Sequence, residues 1–215
     1  FGIDFGTCVL AAFDNVILTK AREYVVKLLR IFKDMSTALD MTKQLPKDKL
    51  NERAEKYSDS ENFPYELLEC PAFAVFYNNL VALIRELNQC VTLSAQDELA
   101  RLFTRSLRRA IEIFVYEHAT SDKFKAGDKK VTKTGETEKA DLLEKALLEE
   151  VTKEDLLFQS KVHAENVLSN LLLLKNNLFP IIMEYVAKIL SYDCKNDIEI
   201  EQVDKLIALI QEKFQ

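Results

Sequence analysis

Glycine and proline are scarce in this chain, with four of each among 215 residues. β-Rich folds need more turn residues than that, so the shortage disfavours them and leaves room for long helices. Histidine is scarcer still. His118 and His163 are the only two, and neither has a carboxylate or cysteine beside it at a ligand spacing such as HExxH. Nothing resembling a nucleophile motif accompanies them, so no catalytic, cofactor-binding or metal-binding residues are assigned. Cysteine occurs at Cys8, Cys70, Cys90 and Cys194, with no CxxC pair. That scatter suits buried free thiols in a reducing compartment better than a disulfide framework. An N-x-S/T sequon is also lacking. Excess positive charge is missing too: the net charge is −6 and the pI about 5.2, which argues against nucleic acid as a partner.

What is present is apolar and helix-forming. At 48% hydrophobic residues, the chain has ample material for a core, and its fold class is expected to be all-α. Opening on Phe1, it is expected to be the C-terminal helical-bundle fragment (1–215) of a larger chain. From Phe5 to about Met41, apolar residues recur at Phe5, Val9, Phe13, Val16, Tyr24, Leu28, Ile31, Met35 and Leu39, one face of a helix. Residues 46–64, "PKDKLNERAEKYSDSENFP", lose that pattern and read as a solvated linker. "LLECPAFAVFYNNLVALIREL" (67–87) follows, with Pro71 suited to a first helical turn.

Ser94, with Asp97 three positions on, has the spacing of a capping box. Its helix is expected to run to about Thr120 with Leu99, Leu102, Phe103, Leu107, Ala110 and Phe114 inward. Residues 121–140 hold two of the four glycines and almost nothing apolar, the signature of a flexible loop. A helical pattern returns at Asp141, and Thr152 with Asp155 marks a second cap. The helix that follows reaches about Tyr192, and Pro180 is expected to kink or break it. Asn196 and Glu199 have cap spacing before Val203, Leu206, Ile207, Ile210 and Phe214. No internal repeat of fixed period is present.

Several stretches invite a functional reading. Asp4-Phe5-Gly6 matches the magnesium-binding triplet of protein kinases, but an amphipathic helix stands where an activation loop should follow, so the match is coincidental. Arg101, Arg105, Arg108 and Arg109 share one helical stripe. It reads as a solvated face partly neutralised by Glu98 and Glu112, or as a docking surface for an acidic partner or anionic lipid headgroups. Residues 170–190 are apolar enough to suggest a membrane span, yet Lys175, Glu184 and Lys188 lie within them. Each such charge costs roughly 2.5–3.5 kcal/mol at bilayer depth, which favours a core helix. Asn78 and Asn79 interrupt the apolar run from Pro71 to Leu87, and a helix over 71–92 is expected to be the central staff of the bundle. An unpaired buried amide costs roughly 1–3 kcal/mol, so at least one of the two should bond across to a neighbour and set the register of packing.

Leu67-Leu68-Glu69, Pro71, Ala74, Phe76, Asn78-Asn79, Glu86-Leu87 and Cys90 together resemble the C-terminal region of the family of subunit eight of the conserved oligomeric Golgi complex. The "FGIDFG" start and the later helix with Phe179-Pro180 are similar to its neighbouring segments. The resemblance implies an elongated helical bundle of the helical-rod type found in multisubunit tethering complexes. It implies a non-catalytic subunit acting in vesicle tethering and retrograde intra-Golgi protein transport. The implied location is the cytoplasmic face of Golgi membranes, with peripheral rather than integral membrane association. The implied partners are other tethering-complex subunits, SNAREs and Rab GTPases. A subunit of another helical tether (exocyst-like), or a helical adaptor or GTPase regulator, is the rival reading. From the residues themselves, the Arg101, Arg105, Arg108 and Arg109 stripe and the 197–214 helix with Leu206 and Ile210 are the expected interaction surface.

Overall fold

The computed structural model describes residues 5–42, 70–119, 156–191 and 198–214. The linker expected at 46–64, the loop at 121–140 and the caps at Thr152 and Asn196 lie outside them. Among the described residues the chain is all-α, with five helices and no strand. In order they are α1 (Phe5–Thr37), α2 (Pro71–Leu87), α3 (Gln96–Ala119), α4 and α5 (Ile198–Phe214). The fourth, α4, is continuous through Lys161–Leu173, a π-helical turn at Leu174–Leu178 and Phe179–Leu190.

The hub is α3, which touches α1, both halves of α4, and α5. That corrects the expectation that a helix over 71–92 is the central staff. α2 packs on α1 and the second half of α4, and Pro71, Asn78, Ala82, Arg85 and Glu86 remain exposed along one side. The composition of α3 explains its place: from Phe103 to Ala119 apolar side chains occur on most of its circumference, so it must be covered on several sides. Leu99, Phe103, Leu107, Ala110 and Phe114 are buried as expected, and Leu102 is half-buried.

Four phenylalanines tie the first three helices together. Phe32 of α1 stacks on Phe73 of α2 at 5.8 Å between centroids and tilts against Phe76 at 5.3 Å, while Phe73 meets Phe114 of α3 at 5.1 Å. Each is buried. Such ring pairs add about 0.5–1.5 kcal/mol each beyond the burial of their area.

The buried face of α1 differs from the expected one. Ile17, Ala21, Val25, Leu28 and Phe32 face the core, while Val9, Phe13, Val16, Tyr24 and Ile31 are exposed. Of the expected row only Leu28 is fully buried, with Met35 and Leu39 partly so. The two rows are adjacent on one broad apolar arc, and the bundle covers the one centred on Val25.

Pro180 does not break α4, which stays helical on both sides of it. Proline lacks the N–H for the ordinary i→i−4 bond and its ring crowds the preceding turn. Here the turn before it is widened: the Phe179 N–H bonds to the Leu174 carbonyl five residues back, a π-type step that relieves such crowding. The charges within this helix are also accounted for. Lys175 pairs with Asp204 of α5 at 2.6 Å, and Glu184 and Lys188 face outward. α4 ends at Ser191, which adopts the left-handed conformation (φ 52°) common just past a helix end.

Candidate interaction surface

α1 runs for 33 residues, and Asp14 is the first of its described side chains to be buried. Ahead of Asp14 the helix projects past its neighbours. Residues 5–13, FGTCVLAAF, carry no charge, and every side chain from Cys8 to Phe13 is exposed. Val9 is 66% exposed, Leu10 52%, Phe13 45% and, one turn on, Val16 59%. A helix apolar on all sides is normally covered by something. This end of α1 is the largest concentration of exposed apolar side chains among the described residues.

Where α1 joins the bundle, polar contacts take over. The Asp14 carboxylate accepts hydrogen bonds from the Ser94 hydroxyl, at 2.5 Å, and from the Thr92 hydroxyl, both in the α2–α3 loop. These bonds, that of Ser94 first, hold the Asp14 carboxyl below its ordinary range. Ser94 therefore serves Asp14 instead of capping α3, which begins two residues later at Gln96. Arg22 reaches Glu98 of α3 at 2.7 Å, and Lys33 reaches Glu117 at 3.6 Å.

The two asparagines separate. Asn79 is half-buried, donates to the Val75 carbonyl of its own helix at 2.8 Å and accepts from the Tyr24 hydroxyl of α1 at 3.2 Å. Asn78 is exposed, so it is not a core register residue. Arg85 of α2 donates to the Tyr185 hydroxyl of α4 at 2.9 Å and lies over its ring.

The arginine stripe also divides. Arg101 and Arg105 are exposed, whereas Arg108 and Arg109 are half-buried against Glu112, at 3.1 and 2.7 Å. Their guanidinium groups are engaged with Glu112 within α3, so the four arginines do not form one open docking stripe. On α5, Ile210 is buried in the core and Leu206 half-buried against it, because α5 turns this row toward α3 and the first half of α4. Ile210 is therefore corrected from surface to core.

His163 is buried next to the Phe158 ring, with its Nδ1 accepting from the Gln159 N–H at 3.2 Å, while the Ser160 hydroxyl caps α4 by accepting from the His163 N–H. His118 is half-buried with its ring 4.7 Å from that of Phe114. Among the described residues no group of His, Cys, Asp or Glu is arranged to hold a metal ion, and no helix is long and apolar enough to cross a membrane. Cys8, Cys70 and Cys90 are free thiols, but only Cys70 is buried, against the expectation for all of them. The exposed apolar end of α1 is the feature sequence reasoning misses: Val9, Phe13 and Val16 share the regular apolar spacing of buried positions, and spacing does not mark where the neighbouring helices end. No family model, curated protein or solved structure matches the chain.

Proposed function

We propose that this chain is a non-catalytic subunit of a vesicle-tethering complex acting in retrograde intra-Golgi transport, and that it works through helix–helix contacts with neighbouring subunits. The observation that carries the interaction part is the uncharged, exposed end of α1 around Val9, Leu10 and Phe13. Apolar area of this kind is stabilised when another apolar helical surface removes it from water, at about 25 cal/mol per Å². The Golgi part rests on the residue pattern from Leu67 to Cys90. In this reading the bundle is one segment of an elongated rod, held peripherally at the cytoplasmic face of Golgi membranes, with SNAREs and Rab GTPases among its contacts.

The test is affinity purification of the full-length protein from cells, in parallel with a variant carrying Val9→Glu and Phe13→Glu. Golgi tethering subunits should accompany the unaltered protein at near-stoichiometric levels and be lost from the variant. Recovery of an exocyst-like set, of a GTPase alone, or of nothing overturns the Golgi assignment. Retention of the same subunits by the variant overturns α1 as the contact. Flotation of the purified protein with protein-free liposomes, abolished by the same substitutions, assigns the α1 end to lipid and overturns the protein-contact reading.

A further inference from the structure

We propose that Ser94 is a phosphorylation site, and that a phosphate there releases α1 from the α2–α3 loop. Three observations on this junction converge. The first is access: Ser94 is exposed in a turn next to Leu93, which at 86% is the most exposed large apolar side chain described. The second is local sequence: "SAQDE" places Asp97 and Glu98 three and four residues after the hydroxyl, both exposed in the first turn of α3. A serine kinase with a basic substrate groove selects carboxylates at those positions by charge complementarity. The third is consequence: the Ser94 Oγ donates its only proton to Asp14 Oδ2 at 2.5 Å.

In the transfer, Ser94 Oγ forms a bond to the γ-phosphorus of a nucleoside triphosphate supplied by the kinase. The bond from that phosphorus to the bridging oxygen breaks, the diphosphate leaves with the electron pair, and the serine proton passes to the kinase's base. Afterwards the oxygen that faced Asp14 has no proton to donate and carries a group of nearly two negative charges. Hydrogen-bond distance between carboxylate and hydroxyl becomes contact between carboxylate and phosphate, which is repulsive. Thr92, which shares Asp14 and lies 3.1 Å from Ser94, cannot hold the contact alone against that repulsion. The N-terminal end of α3 attracts the phosphate, but that attraction is screened and does not require α1 to stay. Arg22, the cation crossing from α1 to α3 here, is already engaged by Glu98 at 2.7 Å.

Because Asp14 is where α1 enters the bundle, its release lengthens the free end of the helix. The experiment is incubation of the folded full chain with ATP and an acidic-directed serine kinase, phosphosite mapping, and then hydrogen exchange of the α1 peptide around residues 12–20. One phosphate on Ser94, absent from Ser94→Ala, and about tenfold faster exchange in that peptide are expected, the size of losing one charge-assisted hydrogen bond. In an Asp14→Asn background the phosphate-dependent acceleration should shrink to less than half. No transfer to Ser94 in the folded chain, when a peptide of residues 88–100 is phosphorylated, overturns the site. Transfer with unchanged exchange, or with full acceleration in Asp14→Asn, overturns the release.

Discussion

Replacing Phe32 by alanine, next to a parallel replacement of its neighbour Ile31, tests which face of α1 the bundle holds. Phe32 is 1% exposed and meets the rings of Phe73 and Phe76, whereas Ile31 is 40% exposed. Deleting a buried phenyl ring in a packed core costs about 3–5 kcal/mol, from lost transfer energy plus the cavity left behind. Two ring pairs go with it, so the upper part of that range applies. Ile31 keeps much of its surface in water, and its truncation should cost about 1 kcal/mol or less. For a chain of this length 1 kcal/mol corresponds to about 2–4 °C in melting temperature. The Phe32→Ala variant should therefore melt on the order of 10 °C lower, and Ile31→Ala within about 4 °C of the parent. Urea titrations followed by circular dichroism should give similar slopes, so that the midpoint shift reports stability directly. Equal losses, or a larger loss at Ile31, would place the core on the Val9–Phe13–Val16–Ile31 row and refute the assignment of the projecting surface.

Tyr24→Phe and Asn79→Ala should each lower stability by about 0.5–1.5 kcal/mol, with a coupling of about 0.5–1 kcal/mol in the double-mutant cycle; additive effects would show that the α1–α2 hydrogen bond carries nothing. The Asp14 carboxyl is held below its ordinary value of 3.8 by the Ser94 and Thr92 hydroxyls. Its contribution is thus present above the unfolded value and lost as pH falls through that value toward the lower folded one. Thr92→Val with Ser94→Ala should flatten the stability profile below about pH 4, checked by urea midpoints measured across that range. Burial pushes the Cys70 thiol up to about 12, so at pH 8 it should react with iodoacetamide more slowly than the exposed Cys8 and Cys90, as site-resolved mass spectrometry would show.

The existence of the helices was legible because breakers are few and apolar spacing is regular. In α3, whose charged residues cluster toward Gln96–Arg109, the inward positions Leu99, Phe103, Leu107 and Phe114 could be named from spacing alone. In α1 the same rule was ambiguous. Val9, Phe13 and Val16 obey it as well as Ile17, Ala21 and Val25, and Ala21 is small enough to be overlooked although it is buried. Pro180 illustrates a different limit: spacing reveals that an ordinary α-helical turn fails there, but a break and a π-turn satisfy the same missing donor. In the structure the π-turn carries the helix through, with Leu174, Leu178 and Ile182 buried in one core on either side of the proline.

Surface function was less legible than fold, and α1 and α5 show why in opposite directions. The Ile210 row is apolar and amphipathic, as an interaction surface would be, but α3 and α4 already cover it. The Val9 row is apolar with the same helical spacing, and is left uncovered because α1 extends past the point where Asp14 binds the α2–α3 loop. Hydrophobicity selects both rows; what separates them is where neighbouring helices begin and end. The arginines follow the same logic: Arg108 and Arg109 are half-buried against Glu112 of their own helix, whereas Arg101 is exposed. A partner surface in a helical bundle is thus the remainder after intramolecular packing. Among the described residues the largest apolar remainder is the uncharged end of α1, adjoining a junction made of one carboxylate and two hydroxyls.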